Sequence, residues 1–359
     1  MVEAVFPRHL GRLFLMGFDG TDLAESPWLR RALAEDRLAG VLLFDRDFAG
    51  GARKNIKSPA QLRRLTAQLR QEAPTVPLIA VDQEGGRVRR LKEKDGFAPS
   101  MSAARLGCQK TVTLTRRQAR IMAEDLAGCG INFNLAPVVD LNTNPDNPII
   151  GRLNRSFGSD VHNVTRHAAA FIEAHHDYNI ACSLKHFPGH GSSRHDSHLG
   201  FTDITATWSP KELEPFERLI RSGHADTIMT AHVMLRHLDP HLPATLSPAI
   251  LSELLRSRLG FDGPIISDDL QMRAIADGWS YRQAVQRSIL AGVDLIIVGN
   301  NLANRPNALE QGVDAVMALL EEGRIDKARL HASLDRIMTL KGKISGEIPW
   351  QTTKKGVES

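Results

Sequence analysis

Cysteine is scarce. The chain has three in 359 residues, Cys108, Cys129 and Cys182, and no CxxC pair. That excludes a disulfide framework and a thiolate zinc ribbon. It suits a reducing compartment in which each cysteine is a small buried apolar side chain. Long apolar runs are missing too. None reaches the ~18 residues that suggest a membrane span, so no membrane contact is expected. The opening Met1-Val2-Glu3-Ala4-Val5-Phe6-Pro7-Arg8 has no charged segment followed by an apolar one. No secretory leader is therefore expected, and a cytoplasmic location is. The formal net charge of +4 includes no basic block, and the late pair Lys354-Lys355 reads as solvated. No nucleic-acid partner is expected. GxGxxG, GxxxxGK[ST], GxSxG and HExxH are all absent. Their absence removes the usual signals for a dinucleotide fold, a P-loop, a serine nucleophile elbow and a zincin.

What is present is a strand-then-helix pattern, about eight times over. Apolar runs occur at 13–18, 40–44, 77–81, 131–136, 180–184, 226–232, 264–269 and 294–299. They are continuous rather than alternating, as parallel strands covered on both faces should be. Helical stretches are expected from Ser26-Pro27 to Ala34, from Ser58-Pro59 to Glu72, over 113–128 and 160–176, and from Ser209-Pro210 to Gly223. Others run from Ser247-Pro248 to Gly260, to Ala291 through Tyr281, and over 308–322 and 326–340. Four of them open with Ser-Pro, an N-cap followed by proline at the first helical position. The economical reading is α/β, a single (β/α)8 TIM-type barrel with long βα loops forming the active site. An open doubly wound sheet is the alternative, but its glycine-rich turn is missing. The barrel is assigned to residues 1–345 and a C-terminal tail to 346–359.

Polar residues gather just after the strands: Asp82, Asp140, Lys185-His186, His232 and Asp268-Asp269. In a barrel these ends converge on one mouth. The densest stretch runs from Lys185 through His186, Pro188, Gly189, His190 and Gly191 to His195, Asp196 and His198. It reads as a functional loop beginning where a strand ends, with glycines as hinges. Asp196 two residues before His198 can orient an imidazole that exchanges a proton near neutral pH, or it can form a solvated Asx-turn. Asp268 and Asp269 point to opposite sides of an extended strand. One can face the mouth as nucleophile or base while the other binds backbone amides. His186, His190, His195 and His198 also raise a His-cluster metallohydrolase as a rival from another class. Arg87, Arg89 and Arg90 can offer charge-assisted hydrogen bonds to a polyhydroxyl or carboxylate-bearing ligand.

Taken together these stretches resemble glycoside hydrolase family 3. Val81-Asp82-Gln83-Glu84-Gly85-Gly86-Arg87-Val88 carries the resemblance, with Leu135 to Asp140 and Arg155-Ser156-Phe157-Gly158. So do Lys185 to Gly191 with Asp196-Ser197-His198, Thr230-Ala231-His232-Val233, Pro243 to Ser247, and Gly260 to Gly263 leading into Ser267-Asp268-Asp269-Leu270. The likeness spans roughly residues 12 to 300. It is nearest to the family's single-domain β-N-acetylglucosaminidases of bacterial cell-wall recycling. It implies that Asp268 is the nucleophile, His198 the general acid/base and Asp196 its partner. It further implies that Asp82, Arg90, Arg155, Lys185 and His186 hold the N-acetylglucosamine ring.

The expected protein is thus a retaining β-N-acetylhexosaminidase. It would act on muropeptide-derived sugars with no cofactor and no metal, as a monomer whose partner is a small carbohydrate. An imidazole in place of a second carboxyl repels an anion less, so a phosphorylase is the nearest variant. A sugar-binding protein without turnover is a further rival, against which the presence of Asp268, Asp196 and His198 speaks. The stretch 49–57 looks longer than in compact members of the resembled family, and 142–153 is also long and rich in Asn and Pro. The first can shape the leaving-group side or pack on a neighbour, and the second leaves the position of Arg155 open.

Overall fold

The computed structural model describes residues 9–48, 51–196, 200–303, 305 and 307–350. His198, Lys354 and Lys355 lie outside the described residues. Eight strands form one sheet: β1 (Phe14–Gly17), β2 (Gly40–Leu43), β3 (Leu78–Val81), β4 (Phe133–Asn134), β5 (Ala181–Phe187), β6 (Thr227–Thr230), β7 (Ile265–Ile266) and β8 (Ile296–Val298). The order is β7-β6-β5-β4-β3-β2-β1-β8, with every pair parallel. The ends meet where Ile266 bridges Leu295 in parallel. There Ser267 N donates to Leu295 O at 3.0 Å and Leu295 N to Ile265 O at 3.1 Å. Strands adjacent in sequence are adjacent in space, and helices fill the crossovers. This is a single (β/α)8 TIM-type barrel.

The strands are continuous apolar runs because both of their faces are covered. Every strand residue is buried, and Phe14, Phe133 and Phe187 are among the largest wholly buried side chains. The Ser-Pro starts open four helical segments: Pro27–Ala34, Pro59–Glu72, Pro210–Leu213 continuing as Glu214–Arg221, and Ala249–Arg258. Ser58 and Ser247 accept the backbone N–H groups of Gln61 and Ile250 at 3.3 and 3.2 Å, and Ser209 accepts that of Lys211 at 3.3 Å. Ser26 donates instead to Asp19 O at 2.5 Å.

At the end of the barrel opposite the mouth, buried Asp294 accepts from Arg256 at 2.6 Å and from Arg329 and Arg336 at 3.3 Å. It also accepts the Ile265 amide at 3.0 Å, which locks β7 to β8. Past the last helix, Lys327–Ile344, the chain folds back. Trp350 stacks on His176 with centroids 3.9 Å apart. Cys129 and Cys182 are buried as expected, but Cys108 is exposed. It caps the short helix Ala103–Gly107 at the surface rather than entering the core. Among the described residues no helix is long and apolar enough to cross a membrane.

Candidate active site

Asp82 follows β3 directly. The turn after it is held by side-chain amides. Asn134, in β4, accepts the Gln83 N–H at 3.1 Å and donates to Gln83 O at 3.0 Å. The Gln83 side chain in turn accepts the amides of Arg90 and Leu91 at 2.9 and 3.0 Å. That brings Arg90 back over the strand end, where its Nη2 meets Asp82 Oδ2 at 3.2 Å.

β5 is longer than its apolar run. The strand continues through Lys185, His186 and Phe187, so Lys185 and His186 sit within it and not after it. The reason is pairing: Val138 bridges Lys185 in parallel, and Ala231 N donates to Phe187 O at 2.7 Å. The Lys185–His186 peptide is cis. Lys185 Nζ reaches both Asp82 at 2.9 Å and Glu84 at 2.7 Å. Glu84 also takes Arg155 in a two-point pair, with Nε and Nη2 both at 2.8 Å. Arg155 Nη2 lies 3.3 Å from His186 Nε2, and His186 Nδ1 lies 2.7 Å from Asp140 Oδ2. A guanidinium can only donate, so Nε2 accepts and Nδ1 carries the proton to Asp140. Three cations, Arg90, Lys185 and Arg155, thus face three carboxylates, Asp82, Glu84 and Asp140.

Burial by itself would raise these carboxyls and lower Lys185. The neighbouring charges outweigh it. Lys185 and Arg90 hold Asp82 below the usual carboxylate range, and Arg155 and Lys185 hold Glu84 far below it. Asp82 and Glu84 lift Lys185 above its ordinary value. The cluster is ionised at neutral pH.

Arg155 is not left loose by the long loop before it. Asn147, fully buried, accepts the amides of Ile149 and Ile150 at 2.9 Å each. Arg155 N then donates to Ile150 O at 3.0 Å and its Nη1 to Ile149 O at 2.9 Å. The same loop braces the segment after β5. Asn147 Nδ2 donates to His190 O at 2.7 Å, and Asn144 Nδ2 to Ser193 O at 2.9 Å. His190 N donates to Asp140 Oδ1 at 2.9 Å. Burial pushes the His190 imidazole down to about 4, so it is neutral at pH 7.

The expected glycine hinges are packing positions instead. A Cβ on Gly191 would sit 1.7 Å from Leu141 O, and one on Gly189 2.7 Å from Glu212 Cβ. Gly189 also has φ +119°, which glycine alone adopts easily. Residues 188–193 are buried, exposure begins at Arg194, and Asp196 is half-buried. His195 is exposed, with its N–H on Ser193 Oγ at 3.2 Å. Among the described residues, no group of three His, Cys, Asp or Glu side chains is placed to hold a metal ion.

Across the mouth, Asp268 and Asp269 follow the two-residue strand β7. Asp269 Oδ1 accepts the amides of Gln271 and Gly299 at 3.0 and 3.1 Å, which ties the ends of β7 and β8. His232 Nε2 donates to Asp269 O at 2.9 Å. Asp268 accepts the Asp269 amide at 2.8 Å and is half-buried. A cavity of about 330 Å³ opens here, with Asp268, Asp269, Asp82 and Arg90 in its lining. The 45–57 stretch supplies another wall with Asp45 and Phe48. It is anchored by Lys54 Nζ on Asn300 O at 2.5 Å and by Asn55 Nδ2 on Phe18 O at 3.0 Å.

The structure therefore gathers Asp82, Arg90, Lys185, His186 and Arg155 into one network and sets Asp268 across a cavity from it. Asp196 stands at the end of the braced loop. Glu84 is the residue the sequence reading passed over. It lies in a quoted motif, but nothing local marks it, because its partner Arg155 is 71 positions away.

The comparisons agree with this geometry. A family model described as the glycosyl hydrolase family 3 N-terminal domain matches residues 13–340. A beta-hexosaminidase of Tolumonas auensis is 38% identical over 277 residues, covering 76% of this chain and 79% of that protein. A solved glycoside hydrolase family 3 beta-N-acetylglucosaminidase from Paenibacillus sp. str. FPU-7 superposes with a TM-score of 0.85 at 34% identity. The match covers 97% of this chain but 64% of that one, so this chain spans just under two thirds of it. A beta-N-acetylhexosaminidase from Beutenbergia cavernae gives a TM-score of 0.81 at 30% identity, covering 94% of this chain and 98% of that one. Barrel, strand-end charges and matched span point the same way: the chain belongs to glycosyl hydrolase family 3.

Proposed function

We propose that the protein is a retaining exo-β-N-acetylglucosaminidase. It removes terminal N-acetylglucosamine from muropeptide-derived sugars in the cytoplasm, as a step in cell-wall recycling. The observation that carries the reading is the shared cavity, with Asp268 on one wall and the Asp82–Arg90 pair on another. Its volume of about 330 Å³ suits one sugar ring and little more. Both the similar proteins and the strand-end chemistry support a β-linked N-acetylhexosamine as the sugar.

Asp82 and Arg90, backed by Lys185, His186 and Arg155, hold the ring. The Asp268 carboxylate attacks the anomeric carbon, and His198 gives a proton to the departing oxygen, leaving a glycosyl ester on Asp268. Water then attacks the anomeric carbon, gives its proton to His198 and releases the Asp268 carboxylate. Two displacements retain the configuration. Asp196 orients His198. Supporting this is the placement of Asp196 on a loop whose first half is pinned to Asp140, Asn144 and Asn147.

The test is leaving-group dependence. His198→Ala should slow release from natural disaccharides about 10²–10⁴-fold, the usual contribution of general acid–base catalysis. It should slow release of p-nitrophenol much less, since that group leaves without a proton. Equal losses on both substrates would remove His198 from the acid/base role.

A further inference from the structure

One buried carboxyl takes no part in the sugar clamp. Glu212 lies in the short helical turn Pro210–Leu213, in the crossover after β5, and is almost wholly buried. It packs under the segment that follows β5. A Cβ on Gly189 would lie 2.7 Å from Glu212 Cβ and 3.0 Å from its Oε2. Both carboxyl oxygens of Glu212, and Ser192 Oγ beside them, are buried with no partner at hydrogen-bonding geometry among the described residues. Buried polar atoms of native proteins are normally matched, so a group left this way calls for a reason.

The surroundings of Glu212 hold no cation that pairs with it among the described residues. The segment after β5 presents the Ser192 hydroxyl and amide, and its own turn presents the Ser209 amide. The loop after β4 presents Asp140, the one charge that bears on it, and of the same sign. Burial works to raise Asp140, but His186 and His190 hold it below the usual carboxylate range, so it is ionised. The buried segment 188–193 touches both carboxyl groups. His190 N donates to Asp140 Oδ1 at 2.9 Å, while Gly189 rests on Glu212. A second negative charge in this dry pocket would meet only a like charge, which a low-dielectric interior makes costly. Burial raises the Glu212 carboxyl, Ser192 pulls it down, and the Asp140 charge raises it again, to about 7.

We propose that Glu212 is a positioning residue for the proton-transfer loop: in its neutral form it props Gly189 and Ser192 from below, and so sets where Asp196 stands. Ionisation sets Glu212 against Asp140. The segment resting on both then shifts or takes in water, and Asp196 loses its register. Glu212 touches none of the groups that hold the ring, so the step affected is turnover and not sugar binding. This rests on the glycosidase reading above and adds to it a carboxyl that must keep its proton while the reaction runs.

The test is Glu212→Gln, which keeps the size of the side chain and cannot ionise. Full-length wild type and variant are assayed on chitobiose from about pH 5.5 to 8.5, over the range in which circular dichroism shows both folded. At about pH 6 the two kcat values should agree within about twofold. One pH unit above its midpoint, about a tenth of the wild-type molecules keep the proton, so at about pH 8 the variant should be about tenfold faster with KM unchanged. Proton transfer by the loop itself titrates alike in both proteins, so their ratio reports Glu212. A ratio independent of pH, or a change confined to KM, would overturn the proposal.

Trp208 gives a readout that needs no turnover. Its Nε1 donates to Pro188 O at 3.0 Å, at the head of the supported segment. In protein labelled with 5-fluorotryptophan, its fluorine resonance, assigned by Trp208→Phe, should shift with a midpoint near pH 7 in wild type and stay fixed in Glu212→Gln. The same titration in both proteins would also overturn the proposal. Failure of the glycosidase reading would show differently, as no N-acetylglucosamine released by wild type while the fluorine titration remains.

Discussion

The two sides of the barrel mouth are built on different principles. On the β3–β5 side, charges are closely matched, with buried Glu84 shared between buried Lys185 and Arg155 at 2.7–2.8 Å. On the β7 side, Asp268 follows a two-residue strand and remains half-buried at the cavity. Its neighbour Asp269 takes the structural duty, tying β7 to β8 through the Gly299 amide. A group that only holds a ring gains from being fixed by many partners. A group that must form and break a bond has to keep an accessible oxygen. The difference explains why five polar strand ends, read as one kind of feature in the sequence, divide into a rigid clamp and a reactive edge once folded.

The clamp can be broken at one atom pair. Glu84→Gln keeps the shape but leaves buried Lys185 and Arg155, with half-buried Arg90, facing two carboxylates. Removing one partner of a buried pair is expected to cost about 3–5 kcal/mol. Urea unfolding should show a loss of that size, with activity falling as Asp82 and Lys185 lose their register. A loss below about 1 kcal/mol would mean that charge balance is not what holds the clamp.

A smaller effect separates the clamp from the support beneath the loop. Glu212 is buried under Gly189, and burial, with a contribution from the Asp140 charge, pushes its carboxyl up to about 7, against the pull of the Ser192 hydroxyl. His190 and His186, above it on the same segment, stay close to Asp140. Below about pH 4.5 Glu212 is protonated whether folded or unfolded and contributes nothing. Above that, the unfolded chain ionises first, so the folded state loses stability progressively until about pH 7. Glu212→Gln should remove this loss. Its stability advantage over wild type should be absent near pH 4 and grow to about 2–3 kcal/mol at pH 8. An advantage independent of pH would place the ionisable group elsewhere.

Much of the fold was legible because its signals are local. The parallel strands show as unbroken apolar runs, and Ser58-Pro59 and Ser247-Pro248 mark helix starts through caps only a few residues long. The extension of β5 through Lys185 and His186 was not legible, since it depends on pairing to Val138 and Ala231, neither of which is nearby in sequence. The glycines of the β5 loop misled for a related reason. Gly191 is required by Leu141 O, 50 positions earlier, and not by a turn of its own. Glu84 was passed over because a carboxylate in a polar loop looks solvated until its distant arginine is known. The exposed Cys108 likewise reflects where its helix lies on the barrel, which composition does not reveal.

The central claim is that Asp268, and not Asp269 or a metal-bound water, attacks the sugar. A fluorinated N-acetylglucosaminyl fluoride, which forms a glycosyl ester faster than it is hydrolysed, tests it directly. Peptide mapping by mass spectrometry of the treated wild-type protein should place one N-acetylhexosaminyl label on Asp268, and Asp268→Ala should take up none. A label on Asp269, or turnover of the reagent with no labelled peptide at any time, would contradict the account.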